Sequence, residues 1–234
     1  MPDIRPTIFL IPTVLAPDTQ EQVLSPSVKQ VISKVDTFFV EEVRTARRFI
    51  SSLKLGIKID DLTFIELHKN TPLEQTYHQI KDLKKDAGII SEAGCPGIAD
   101  PGSVAVKLAH EFGFRVAPLV GPSSIFLALM ASGFNGQSFA FHGYLPIDRP
   151  QRIRAIKQLE QDMTKKNQTQ IFMETPYRNN QVLEDILQQC SPETKLCIAA
   201  NVTAADEFIQ THPIKYWRSH KPELHKIPCI FVLG

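Results

Sequence analysis

Several signatures that would name an enzyme outright are missing. No GxGxxG follows the first apolar run, and GxxxxGK[ST], HExxH and GxSxG are absent, so nucleotide hydrolysis and zinc chemistry lose most of their support. The four cysteines, Cys95, Cys190, Cys197 and Cys229, are scattered without CxxC spacing or a nearby histidine. That pattern points to buried reduced thiols rather than a disulfide framework or a metal site. No apolar run approaches the ~20 residues of a membrane span, and the first residues carry neither a signal-type apolar core nor an Arg-rich transit pattern. The expectation is a cytoplasmic protein with no membrane association. An excess of one charge is missing too: 26 Lys and Arg face 25 Asp and Glu, a net of +1. This argues against a nonspecific grip on nucleic acid over the whole surface and leaves a local basic patch open. There is no Gly- or Ser-rich linker and no strict repeat.

What the chain has is alternation. With 234 residues and a hydrophobic fraction of 43%, it can build a real core, in one large domain or two small ones. Strands are expected at Thr7–Ile11, Thr37–Val40, Leu62–Leu67, Gly88–Ser91 and Arg115–Pro118. Helices are expected between them, over Gln20–Ile32 with an interruption at Ser25-Pro26, over Arg44–Leu53 and from Thr71-Pro72 to Leu83. The second half reads alike, with strands Ser138–His142, Gln168–Met173, Lys195–Ala200 and Ile227–Leu233 and helices Asp148–Met163 and up to Cys190. Glu207–Trp217 reads equally as strand or loop. Alternation of this kind predicts α/β architecture with a mainly parallel sheet. Two α/β layers, 1–117 and 118–234, are expected to join near Ala117–Gly121.

The stretch Ile89–Gly133 organises the rest. A short apolar strand runs into Glu92-Ala93-Gly94-Cys95-Pro96-Gly97-Ile98-Ala99-Asp100-Pro101-Gly102, where Asp100 reads as an N-cap and Pro101 as the first helical residue. The helix that follows, Pro101–Phe112, shows Val104, Leu108 and Ala109 on one face, with Gly113 as its C-cap. A second strand then leads through Val120-Gly121-Pro122-Ser123-Ser124 into another helix. Loops after strands, poor in bulky side chains, place backbone N–H and C=O groups against a ligand and suit a cofactor with adenine, ribose and an amino-acid tail. Taken singly, each signal has an ordinary reading: glycines for tight turns, Asp100 and Ser123 as caps, Cys95 as packing, His68 and His142 as structural, Glu41 and Glu42 as a solvated helix start.

Together, SEAGCPGIADPG, VAPLVGPSS and ALMASGF resemble the core signature of the tetrapyrrole methylase superfamily. These are two-domain methyltransferases that bind S-adenosylmethionine between their domains. Within it the chain is most similar to the branch that methylates a cytidine ribose 2′-hydroxyl of 16S ribosomal RNA. Glu41-Glu42-Val43-Arg44 with Arg47-Arg48 echoes that branch's acidic pair, Thr, Arg and Arg pair. Glu174-Thr175-Pro176-Tyr177-Arg178 echoes its Glu-Ser-Pro-His-Arg. The resemblance spans nearly the whole chain. It implies cofactor contacts at Pro12, Leu15, Ala93, Gly94, Cys95, Ile98, Ser123, Ser124, Met173, Asn201, Val202 and Pro228. It also implies a catalytic set of Glu42, Arg44, Glu174 and Arg178, with one carboxylate as base. The partners it implies are ribosomal RNA or the small ribosomal subunit, and a second copy in a homodimer. Departures are Ala16-Pro17 where the branch has Gly-Asn, Val43 for Thr, and Ala200-Asn201-Val202-Thr203 for Arg-Glu-Leu-Thr. They keep two alternatives in view: methylation of a small tetrapyrrole-like molecule, and a cofactor-binding protein that has lost catalysis.

Overall fold

The computed structural model describes residues 5–68 and 70–234. The chain divides into two compact units, Met1–Pro122 and Ser123–Gly234.

In the first unit five strands, β1 (Thr7–Ile11), β2 (Thr37–Val40), β3 (Thr63–Glu66), β4 (Ala87–Ile90) and β5 (Arg115–Pro118), form one sheet in the order β3-β2-β4-β1-β5. All four pairings are parallel. The helices between them are α1 (Gln20–Val23), α2 (Pro26–Ile32), α3 (Val43–Ser52), α4 (Leu73–Lys81) and α5 (Gly102–Glu111). Both faces of this sheet are buried. Val28 and Ile32 of α2 and Phe49 and Ile50 of α3 pack with Ile11, Phe38 and Val40 on one side. Ile80 of α4 and Ala105, Leu108 and Ala109 of α5 pack with Ile8, Phe39 and Ile89 on the other. The inward face of α5 therefore uses Ala105 where the sequence pattern suggested Val104, which is 37% exposed. The split follows from crossover handedness: connections leading from β1 through β2 to β3 step one way across the sheet, and those from β3 through β4 to β5 step back. The carboxyl ends of β1 and β4 are thus neighbours whose chains leave towards opposite faces, the arrangement that opens a crevice in such sheets.

Ser25 ends the interruption between α1 and α2 by accepting a bond from the Ser27 N–H, with Pro26 at the first helical position. Helix α5 begins one residue later than the Asp100-Pro101 pair suggests, because the Asp100 Oδ1 accepts from both Gly97 N and Gly102 N at 2.8 Å and holds Pro101 at the cap.

The second unit contains α6 (Ser124–Ser132), β6 (Phe139–Tyr144), α7 (Arg149–Lys166), β7 (Thr169–Met173), α8 (Asn179–Gln189), β8 (Lys195–Ala200), β9 (Phe208–Pro213), α9 (Ile214–Ser219) and β10 (Cys229–Leu233). Its sheet runs β6-β7-β10-β8-β9. Here the expectation of a mainly parallel sheet fails: only β6 and β7 are parallel, while β10 runs against both β7 and β8, and β9 runs against β8. The reason is local. Residues 201–207 make a hairpin-length connection between β8 and β9, too short for the crossover that parallel neighbours need. The undecided segment Glu207–Trp217 is strand β9 followed by the single-turn helix α9. Ile156, Leu159, Val182, Ile186, Phe172, Ile198, Trp217 and Phe231 form the core. Helix α6 packs on β8, β9 and β10, and its last turn is tied to β9 by the Thr211 hydroxyl donating to Ser132 O.

Helix α7 does not keep all its charges outside. Arg152 is fully buried and donates through Nε and Nη2 to Asp185 Oδ2 at 2.9 and 2.7 Å, and through Nη1 to Ile147 O at 2.7 Å. Among the described residues no helix is long and apolar enough to cross a membrane.

Candidate active site

Three loops of the first unit meet at the carboxyl ends of the adjacent strands β4, β1 and β5. Thr13 N donates to Gly94 O at 2.9 Å, the Thr13 hydroxyl to Ser91 O, and the Ser91 hydroxyl to Gly94 O at 3.1 Å. Cys95 Sγ lies 3.3 Å from Pro122 O, closing the third side. Glycine is required at two points. Gly94 has φ +73°, and a Cβ there would lie 3.2 Å from Leu15 Cδ2 and 3.3 Å from Pro122 O. A Cβ on Gly121 would sit 2.2 Å from Pro12 Cγ. Pro12, Leu15, Gly94 and Cys95 are therefore brought together as the sequence suggests, with Ala93 and the 53% exposed Ile98 on the same loop. Burial holds the Cys95 thiol above its ordinary value, so it stays protonated and acts by shape.

Next to this cradle, beyond β2, stands an acidic group. Glu42 caps α3, its Oε1 accepting from Arg44 N at 3.0 Å, while the rest of the side chain is exposed. Desolvation raises the Glu92 carboxyl above its usual value and the charges of Glu41 and Glu42 add to the rise, against a Thr45 hydrogen bond that lowers it. Glu92 and Thr13 were not singled out by sequence reasoning; position directly after a central strand was the available signal. Arg47, beside Arg44 in sequence, pairs with Asp60 and lies over the Phe64 ring at 5.9 Å.

In the second unit β10 is antiparallel to β7 and β8, so its start shares one rim with the ends of β6, β7 and β8. Met173, Asn201, Val202 and Pro228 are all found on that rim, and Asn201 N donates to Pro228 O at 3.0 Å. Asn201 takes φ +48° and bonds Asp206 through its side chain, and Val202 is buried. Glu174 is buried, its Oε1 accepting from Thr175 N at 2.6 Å and Arg178 Nη2 at 2.5 Å. Four of the five buried side-chain atoms that lack a hydrogen-bond partner among the described residues lie at this rim: Glu174 Oε2, Arg178 Nη1, Asn179 Oδ1 and Thr203 Oγ1. Each such atom costs about 1–3 kcal/mol, so their clustering marks a place where something else completes them. Ser123 stands at the N-cap of α6 without a side-chain cap bond, and Ser124 opens the helix. Among the described residues no group of three or more His, Cys, Asp or Glu side chains is arranged to hold a metal ion.

No family model matches the chain. Curated relatives do. The ribosomal RNA small subunit methyltransferase I of Thermotoga maritima is 34% identical over 197 residues, covering 82% of this chain and 85% of the relative. That of Haemophilus influenzae is 30% identical over 220 residues, covering 93% and 74%. The chain belongs to the ribosomal RNA small subunit methyltransferase I family. Among solved structures it shares the fold of a diphthine synthase, with a TM-score of 0.65 and 12% identity over 97% of this chain and 88% of the other. A uroporphyrin-III C-methyltransferase from Thermus thermophilus complexed with S-adenosylhomocysteine gives 0.56 and 12%, over 98% and 97%. The fold is thus that of the tetrapyrrole methylases, as the central motif implied, while the sequence relatives set this methyltransferase in the ribosomal RNA branch. Ala16-Pro17, the departure in its first loop, is accommodated: Ala16 is buried, the Thr19 hydroxyl donates to Ala16 O at 2.7 Å, and Asp18 takes the positive φ of 61°.

Proposed function

We propose that this chain transfers a methyl group from S-adenosylmethionine to a ribose 2′-hydroxyl of small-subunit ribosomal RNA. The observation that carries the proposal is the three-loop cradle of the first unit, in a chain whose relatives bear the name of ribosomal RNA small subunit methyltransferases. The cradle fits the cofactor. Gly94 leaves room where a Cβ would press on Leu15 and Pro122 O, and Ile98 offers an exposed apolar surface beside it. When bound, S-adenosylmethionine supplies a methyl already activated by its sulfonium, so the protein's work is alignment, worth up to ~7–11 kcal/mol of barrier.

The remaining steps belong to side chains. Glu42 uses one oxygen to cap α3 and keeps the other for the hydroxyl proton released as the ribose oxygen takes the methyl. Arg44, exposed in the first turn of α3, meets an RNA phosphate. Buried Glu174 fixes Arg178, whose buried Nη1 has no hydrogen-bond partner among the described residues. Ser123 and Ser124 offer uncommitted groups at a helix start. We place the protein in the cytoplasm and read it as a homodimer; light scattering of the purified protein tests the dimer.

Calorimetric titration with S-adenosylmethionine and S-adenosylhomocysteine, followed by methyl transfer to purified small ribosomal subunits, tests the proposal. Micromolar binding and transfer that falls about 10²–10⁴-fold in Glu42→Gln are expected, the usual range for a general base. Transfer to a tetrapyrrole but not to RNA, or binding without any transfer, would replace this reading by one of its alternatives.

A further inference from the structure

The segment Glu174-Thr175-Pro176-Tyr177-Arg178-Asn179-Asn180 is rich in groups that could touch a substrate, yet nearly all of them face inward. Glu174 and Arg178 pair with each other, and the Arg178 N–H donates to Thr175 O at 2.9 Å to close the turn. Asn179 reaches 48 residues ahead to donate to Ile227 O at 2.6 Å. Asn180 Oδ1 accepts from Leu224 N at 2.8 Å, and its amide donates to Glu223. Lys226, at φ +63°, donates its N–H to Pro176 O at 2.9 Å. These bonds clamp two loops, 174–180 and 223–228, into one rigid ledge on the rim that carries Met173 and Pro228.

One large side chain of the segment points out of the ledge. Tyr177 is 70% exposed. Its ring is braced edge-on by His225, 6.0 Å away at 75°, and the Lys226 ammonium lies 6.0 Å from its centroid. A planar ring open to solvent, with an imidazole at its edge and a cation beside it, has the features that single-stranded RNA is held by: an aromatic face for a base and positive charge for the backbone.

We propose that Tyr177 is the base-stacking residue for the RNA substrate, with Lys226 taking an adjacent phosphate. This deepens the reading of the chain as a ribosomal RNA methyltransferase and rests on it. Glu174, Asn179 and Asn180 are positioning residues that act through the ledge. The ring, not the phenol hydroxyl, carries the interaction.

The test uses the full chain with small ribosomal subunits as methyl acceptor, and with a short single-stranded RNA bearing 2-aminopurine as a stacking probe. Tyr177→Ala is expected to raise KM for subunits roughly ten- to a hundredfold, in line with the loss of one stacked base. It should also abolish the quenching of 2-aminopurine while leaving affinity for S-adenosylhomocysteine and the melting temperature unchanged. Tyr177→Phe should match the wild type within about twofold, a rescue that a hydroxyl role would not allow. Lys226→Ala should lower the salt slope of RNA binding by about one. Normal transfer by the wild type with unchanged KM and quenching in Tyr177→Ala would overturn this inference alone. Wild-type protein that neither methylates subunits nor binds the probe would overturn the RNA reading and this inference with it.

Discussion

Gly121 has no room to grow. Its missing Cβ would fall 2.2 and 2.3 Å from two ring carbons of Pro12, so Gly121→Ala must separate the loops after β1 and β5. A loss of about 1–3 kcal/mol in urea unfolding is expected, with weaker binding of S-adenosylhomocysteine. Asp100 makes a pH-dependent prediction. Burial outweighs the two N–H bonds it accepts and raises its carboxyl above 3.8. The neutral form is thus favoured in the fold, and its contribution is fully present below the ordinary value and lost as pH rises through the raised one. Asp100→Asn keeps an acceptor for Gly97 and Gly102, so wild-type stability should decline relative to this variant as pH climbs above about 3.8. A difference independent of pH would refute the assignment. Buried Arg152 and Asp185 behave differently again. Arg152→Met removes both bonds to Asp185 Oδ2 but leaves Oδ1 paired with Arg149 Nε at 2.9 Å, so a loss below the about 3–5 kcal/mol of a fully stranded carboxylate is expected, and adding Asp185→Leu should restore much of it. Chemical denaturation of the three proteins measures both.

At the scale of elements, Asp148 caps the long helix α7 by accepting from Gln151 N at 3.0 Å. Asp148→Ala should lower stability by about 0.5–2 kcal/mol, measured by urea unfolding. Caps of this kind made much of the fold legible in advance. Ser25-Pro26 and Gly133 mark a break and an end by backbone rules that act within a few residues and fall where expected, while Gly113, at φ +68°, follows the actual cap Phe112 by one residue. The antiparallel half of the second sheet was not legible, because strand direction depends on how far a connection reaches and not on the alternation of patterns. Arg152 was hidden for a related reason. Its partner Asp185 lies 33 residues on, and helical periodicity alone assigns an arginine to the outside. The ledge beneath Tyr177 shows the same limit: ETPYRNN is recognisable as a motif, but that Asn179 and Asn180 fasten residues 223–227 depends on contacts about 45 residues away.

For the whole molecule, saturating S-adenosylhomocysteine at about a hundred times its dissociation constant should stabilise the native state by about 2.7 kcal/mol, a rise in melting temperature of roughly 5–10 °C. No shift would argue against a formed cofactor site. The candidate cofactor loops were largely readable from sequence, since SEAGCPGIADPG and VGPSS lie within one stretch. The second rim was less so, because it is assembled from three separated segments. Strand β10 carries a last consequence. It comes after every other strand in chain order, yet it occupies the middle of its sheet, between β7 and β8. On a ribosome the first unit has all its strands once residue 118 has emerged and can close early. The second must wait, with β7 and β8 each presenting a bare edge until residues 229–233 slide between them. Vectorial synthesis thus leaves a window in which this half is open to mispairing, and a chaperone that shields strand edges would act there.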